Sequence, residues 1–191
     1  MVNLREGLMK KMLGVLTLLV GILSLIAWPG LAAEKTPVIK LERVEVAGYW
    51  SFYLDAQERR GSPLILAFVY SIKNPSAVKW MMDEMKFSIS FDDAEINSVT
   101  VYDDNYIPPR TTDFFRIMGS FDAFVVSGNP NVRDSKARTE KNILPADLVK
   151  KWWEGIGDFN FPITVNGTAT FVDPGGKSII VPFEATFPPK N

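Results

Sequence analysis

The stretch Leu64-Ile-Leu-Ala-Phe-Val-Tyr-Ser-Ile-Lys73, closed by Asn74-Pro75-Ser76, decides how this chain is read. Its side chains alternate between two faces. Leu66, Phe68, Tyr70 and Ile72 fall on one, and Ile65, Ala67, Val69 and Ser71 on the other. Both rows are largely apolar, which predicts a strand in the middle of a sheet rather than at its edge. Asn74-Pro75-Ser76 stops it, because proline has no ladder donor and asparagine favours turns.

Period-2 patterning continues on both sides of this strand. Residues 38–47 alternate through Leu41, Val44 and Val46, with a slip that suggests a bulge. Residues 86–92 carry Phe87, Ile89 and Phe91 on one face, and 95–102 carry Ile96, Val99 and Val101. Residues 112–118, 159–172 and 177–187 read as three more strands, the last two joined by the turn Asp173-Pro174-Gly175-Gly176. Short strands at a spacing of about ten residues are the rhythm of an all-β sandwich or barrel. One helix stands out, at about 145–155. Pro145 and Asp147 suit its start, and Leu148, Trp152 and Ile156 recur every four residues beside the row Val149 and Trp153. Residues 119–142 are the least regular: Phe121, Phe124, Val125 and Val126 are expected to be partly buried, and the mixed-charge loop over 133–141 reads as a solvated excursion.

The order of these segments resembles a known family. An apolar strand ending Tyr70-Ser-Ile-Lys-Asn-Pro75 is followed by Phe87-Ser-Ile-Ser-Phe91, Ile107-Pro108 and the strand entry Thr111-Thr112. A helix then leads into Phe161-Pro-Ile-Thr-Val-Asn-Gly-Thr168, and Ile180-Val-Pro-Phe183 closes the pattern. Over residues 38–187 this is similar to the late-embryogenesis-abundant proteins with the water-stress-and-hypersensitive-response (WHy) domain. The resemblance implies an immunoglobulin- or fibronectin-III-like antiparallel β-sandwich of about seven strands. It also implies a role in desiccation or another stress, and it brings no catalytic residues with it. Asn74, Pro75, Asn166 and Gly167 carry it most specifically. Asp92-Asp93-Ala94 stands where the family often has a glycine, and the 119–142 excursion is longer than the family's connection, which would make it a lineage-specific partner surface.

Composition narrows the function. The 191 residues include no His and no Cys, with 21 Lys+Arg against 22 Asp+Glu. A histidine base, a cysteine nucleophile, disulfides and His/Cys metal centres are thereby excluded. A formal net charge of −1 gives no reason to expect a nucleic-acid partner.

The first 33 residues read as an export element. Arg5, Lys10 and Lys11 precede an uncharged apolar run over 12–28, then Pro29-Gly30 and the small residues Leu31-Ala32-Ala33. That is the layout of a signal peptide. The run of 17 residues would span ~25 Å as a helix against a ~30 Å hydrocarbon core, short for an anchor. Cleavage after Ala32 or Ala33 and retention as a membrane anchor both stay open. Residues 34–191 would then form one domain in the periplasm or cell envelope, with a bacterium the default source.

Several side chains are candidates for function. Leu148, Trp152 and Ile156 would plug one end of the sandwich, while the adjacent Trp153 would be half covered and, beside Lys150 and Lys151, suited to a protein or membrane-surface contact. Trp80, Met81 and Met82, with Met85, form an apolar cluster next to a turn that would serve as an adaptable contact or fold over the core edge. Gly167 inside a strand suggests a bulge or a close backbone approach. The acidic pairs Asp92-Asp93 and Asp103-Asp104 flank a strand of about eight residues and so lie ~25 Å apart along it, too far to share a metal. No catalytic residue, metal site or cofactor is expected. The readings are a protective or protein-binding module of the cell envelope, a dedicated structural partner docking through Trp152, Trp153 and the 119–142 excursion, and, as the enzyme alternative, a hydrolase with two carboxylates in a concave pocket.

Overall fold

In a computed structural model, which describes residues 35–188, two antiparallel sheets enclose the core. The strands are β1 (Val38–Tyr49), β2 (Leu54–Asp55), β3 (Arg60–Gly61), β4 (Pro63–Lys73), β5 (Trp80–Phe91), β6 (Ala94–Ile107), β7 (Thr112–Asp122), β8 (Ile163–Val172) and β9 (Ser178–Phe187). One sheet has the order β1-β4-β7 and the other β6-β5-β8-β9, while β2 and β3 form a small hairpin. The described residues form an all-β sandwich of seven long strands plus that short hairpin. The signal segment 1–33 lies outside the described residues.

β4 is the central strand of its sheet. Leu64, Leu66, Phe68, Tyr70 and Ile72 point inward and are wholly buried. On its outer face Ala67 and Val69 are buried as well, where β4 is flanked by β1 and β7. Glu45 accepts from Arg43 Nε at 2.7 Å and Arg116 Nε at 3.1 Å, bridging the edge strands across β4. The core itself is aromatic. Phe87 meets Phe68 and Tyr70 edge-on at 5.7 and 5.4 Å, and Phe91 meets Trp152, Phe161 and Phe121 at 5.6, 5.1 and 5.4 Å.

β5 begins six residues earlier than its alternation predicts, at Trp80 instead of 86. The reason is a bulge: the register shifts between Met82 and Glu84 against both β6 and β8. The extra residue reverses the phase, so that Trp80, Met82, Met85, Phe87, Ile89 and Phe91 all face the core. β6 runs on to Ile107 for the same reason, with its own two register shifts.

The 119–142 excursion is a correction. After β7 it forms three short helices, α1 (Ala123–Gly128), α2 (Pro130–Asp134) and α3 (Lys136–Thr139), which lead to α4 (Pro145–Gly155) and a single 3-10 turn (Ile156–Asp158). Each is too short to display helical periodicity, but each has a side-chain cap. Asp122 accepts from Phe124 N and Val125 N, Asn129 from Asn131 N, and Ser135 Oγ from Arg138 N. α1 packs against α4, and Val126 and Val132 join the core.

Candidate functional site

Asn74 is the most heavily bonded side chain described. It is fully buried where β4 leaves its sheet. Its amide nitrogen reaches the carbonyls of Val78, Ile107 and Pro108 at 2.8, 3.0 and 3.0 Å. Its oxygen accepts from Ser76 N at 3.0 Å and Ser76 Oγ at 2.7 Å, and Ser76 Oγ in turn accepts from Trp80 Nε1 at 3.1 Å. One neutral side chain thus ties the β4–β5 connection to the β6–β7 connection. Pro75 is half-buried beside it. Every polar atom of the amide is engaged inside the fold, so Asn74 presents nothing to a ligand.

The opposite end is held by two aspartates. Asp92 Oδ2 accepts from Trp152 Nε1 at 2.8 Å. Asp93 accepts from Lys136 N at 2.7 Å and Ala137 N at 3.0 Å, at the start of α3. Partial burial alone would push the Asp93 carboxyl up; the bonds from Ala137 and Lys136 outweigh it and hold the group below the ordinary carboxylate range. Asn129 and Asn131 add bonds to Glu95 O at 3.2 and 3.1 Å. The β5–β6 turn therefore clamps the helical segment to the sandwich. A glycine in place of Asp92 or Asp93 would remove the clamp, so these residues do more than set local turn geometry.

Burial changes the reading of the aromatic candidates. Trp152 and Trp153 are 1 and 0 % exposed. The half-covered Trp153 expected from helical geometry is corrected: the ring is wholly buried, and α1 packs against α4 in addition to the sandwich. Neither ring is available to a partner in this fold. Trp80 and Met82 are buried by the phase reversal in β5, and of that cluster only Met81 is half-exposed. Met81 lines an open hollow of about 290 Å³ with Lys79, Tyr106, Val172, Asp173 and Pro174, where Lys79 Nζ sits 4.3 Å from the Tyr106 ring centre.

Gly167 lies where β8 approaches β5 most closely. A Cβ there would come within 2.1 Å of Lys86 O and 2.5 Å of Phe87 Cβ, so no larger residue fits without moving β5. Asn166 is exposed, and its carbonyl accepts from Ser88 Oγ at 3.4 Å. It borders a shallow, open hollow of about 460 Å³ with Ser88, Ser98, Thr100 and Thr168. Neither hollow holds a pair of carboxylates, and among the described residues no acidic cluster could hold a metal ion.

What the fold does present is the outer face and free edge of the β1-β4-β7 sheet. Phe114 and Met118 of β7 are 64 and 54 % exposed there, and Trp50, whose ring lies close to Gly48, is 52 % exposed. Between Phe114 and Met118 runs the Arg43–Glu45–Arg116 bridge, in which the two guanidiniums hold the Glu45 carboxyl below its usual range. Sequence alternation signalled the apolar residues of β7. It carried no sign that β7 would be an edge.

Comparison with known proteins supports the architecture. No family model and no curated protein matches the chain. Among solved structures, the solution structure of AT1g01470 from Arabidopsis thaliana is similar over 84 % of this chain and 85 % of its own, at 12 % identity and a TM-score of 0.51. A solution structure described as a candidate late-embryogenesis-abundant (LEA) protein, At2g46140.1, is similar over 95 % of this chain and 86 % of its own, at 14 % identity and a TM-score of 0.47. At such identities the likeness concerns the fold alone, and the chain shares its β-sandwich with AT1g01470.

Proposed function

We propose that this chain is a non-enzymatic, stress-related protective module that binds other proteins. The observation that carries the reading is the contrast between its interior and its exposed sheet. The notable polar side chains, Asn74, Asp92 and Asp93, are used to hold the fold, whereas Phe114, Met118 and Trp50 stand exposed around one ion-pair bridge. A sheet face with exposed apolar side chains and open, shallow hollows suits weak, stoichiometric contacts with partly unfolded chains better than it suits turnover. The WHy-type resemblance of the sequence supports a desiccation or related stress as the setting. The apolar run 12–28 behind Arg5, Lys10 and Lys11 supports export to the cell envelope.

A dedicated partner is the second reading, and it rests on other residues than Trp152 and Trp153. Val125 on α1 and Leu144 before α4 are 68 and 67 % exposed on the helical segment. In-cell crosslinking of the tagged full-length chain, with the N-terminus of the recovered protein sequenced, tests both. A broad set of clients that grows under drying or heat is the result expected, with an N-terminus at residue 33 or 34. One abundant partner, lost on Val125→Asp with Leu144→Asp, transfers the assignment to the dedicated-partner reading. An absence of crosslinks overturns both.

A further inference from the structure

The sandwich has four edge strands, and three of them are blunted. β1 and β6 each carry two register shifts against their neighbours, and β9 has Pro182 in its middle. Such features discourage strand addition. β7 has none: its 11 residues pair with β4 without a shift, and it contains no proline.

The hydrogen-bond pattern shows which groups of β7 are free. Asn74 N donates to Thr111 O and Ala123 N donates to Ser62 O, both in line with the β4–β7 register. In an antiparallel ladder the bonded residues alternate. Odd-numbered residues of β7 therefore bond to β4, and Thr112, Phe114, Arg116, Met118 and Ser120 turn their main chain outward. Two side-chain contacts agree. Asn97 Nδ2 donates to Ser120 O at 3.0 Å, and Phe114 N donates to Asp113 Oδ1 at 2.8 Å. The first closes one end of the edge. The second covers a single N–H with a movable carboxylate, and 112–118 otherwise stays open.

We propose that two copies of the chain associate by antiparallel pairing of β7 with β7 about a twofold axis at Phe115, joining two three-stranded sheets into one of six strands. This register sets Thr112 opposite the second copy's Met118 and Phe114 opposite the second copy's Arg116. The four outward residues of 112–118 then find partners, and Phe114 lies over a guanidinium, a favourable cation–π arrangement. A register centred on Arg116 would instead set two guanidiniums against each other. Asp113 must release Phe114 N for the pairing to form, which makes it a gate on the edge. The inference goes beyond the protective reading, since a β7 edge occupied by a second copy is closed to clients.

The chain has no cysteine, so engineered thiols report cleanly. Full-length Phe114→Cys and Arg116→Cys proteins, in mild detergent, are oxidised separately and as an equimolar mixture. Opposed residues of a bonded pair lie ~5.5 Å apart, within disulfide reach, whereas like positions are displaced to ~7–8 Å. The expected result is a covalent dimer in the mixture, at least about tenfold above either protein alone. No dimer, or equal amounts in all three samples, overturns the register. Sedimentation of the unaltered chain tests the association itself. Met118→Pro removes one outward N–H and Phe114→Lys places like charges together, and each should weaken dimerisation about tenfold or more while Asp113→Ala strengthens it. Circular dichroism checks that each variant is folded, and Phe114→Lys decides if Met118→Pro is not. A monomer at every concentration, or a dimer indifferent to Phe114→Lys, overturns the proposal.

Discussion

The two ends of the sandwich are closed by different chemistry. At one, the neutral Asn74 amide is wholly buried and bonds to three carbonyls from two separate loops. At the other, Asp92 and Asp93 hold a tryptophan and a helix start from half-buried and exposed positions. A buried amide needs no counter-charge and does not titrate, so its end should be indifferent to pH. Carboxylates that accept N–H bonds are stronger acceptors, but only while ionised. The comparison teaches that the helical segment is the acid-sensitive part of this fold and the Asn74 knot the insensitive one.

The largest effect expected is at the helical end. Trp153→Ala should cost about 3–5 kcal/mol, because a fully buried indole leaves a cavity that the helix and sheet cannot close. Urea denaturation measures it; a cost near zero would mean that the segment is not packed as described. At the other end Asn74→Ala should cost about 2–4 kcal/mol, since the carbonyls of Ile107 and Pro108 lose a partner inside the protein. The same denaturation run at neutral and acid pH should give an equal cost at both.

Asp93→Asn sharpens the contrast. The folded carboxyl titrates below its unfolded value, so its contribution is present above the unfolded pKa and is lost as pH falls through the folded one. The unaltered protein should lose stability more steeply below about pH 4 than the Asn variant. Hydrogen exchange at Lys136 and Ala137 should accelerate first. Parallel acid limbs in the two proteins would remove Asp93 from the account. The smallest effect concerns neither end. Tyr70 OH is buried without a hydrogen-bond partner among the described residues, and burial pushes its phenol pKa up. Tyr70→Phe should be neutral or stabilising by up to about 1 kcal/mol, read as a small rise in Tm.

Much of the sandwich was legible from periodicity. β4 was readable as a central strand because both of its rows are apolar, and α4 because its indoles and aliphatic residues recur at helical spacing. Trp80 and Met82 were readable as folding over the core edge but not as part of strand β5, because one bulge residue near Asp83 reverses the phase. The three short helices escaped notice because Asp122, Asn129 and Ser135 are capping residues that also occur in ordinary loops. The structural use of Asn74 was visible only as a turn signal, since two of its partners lie 33 and 34 residues along the chain.

The amino-acid sequence by itself determined the all-β class, the central place of residues 64–73, the helix at 145–155 and the exclusion of histidine and cysteine chemistry. These follow from local alternation and composition, which need no knowledge of distant residues. Only the tertiary structure decided that Trp153 is interior as well as Trp152, that Asp92 and Asp93 clamp the helices, and that β7 is the unblunted edge. Burial of a side chain and freedom of a strand edge both depend on what packs beside them, and that is settled by contacts between residues far apart in the chain.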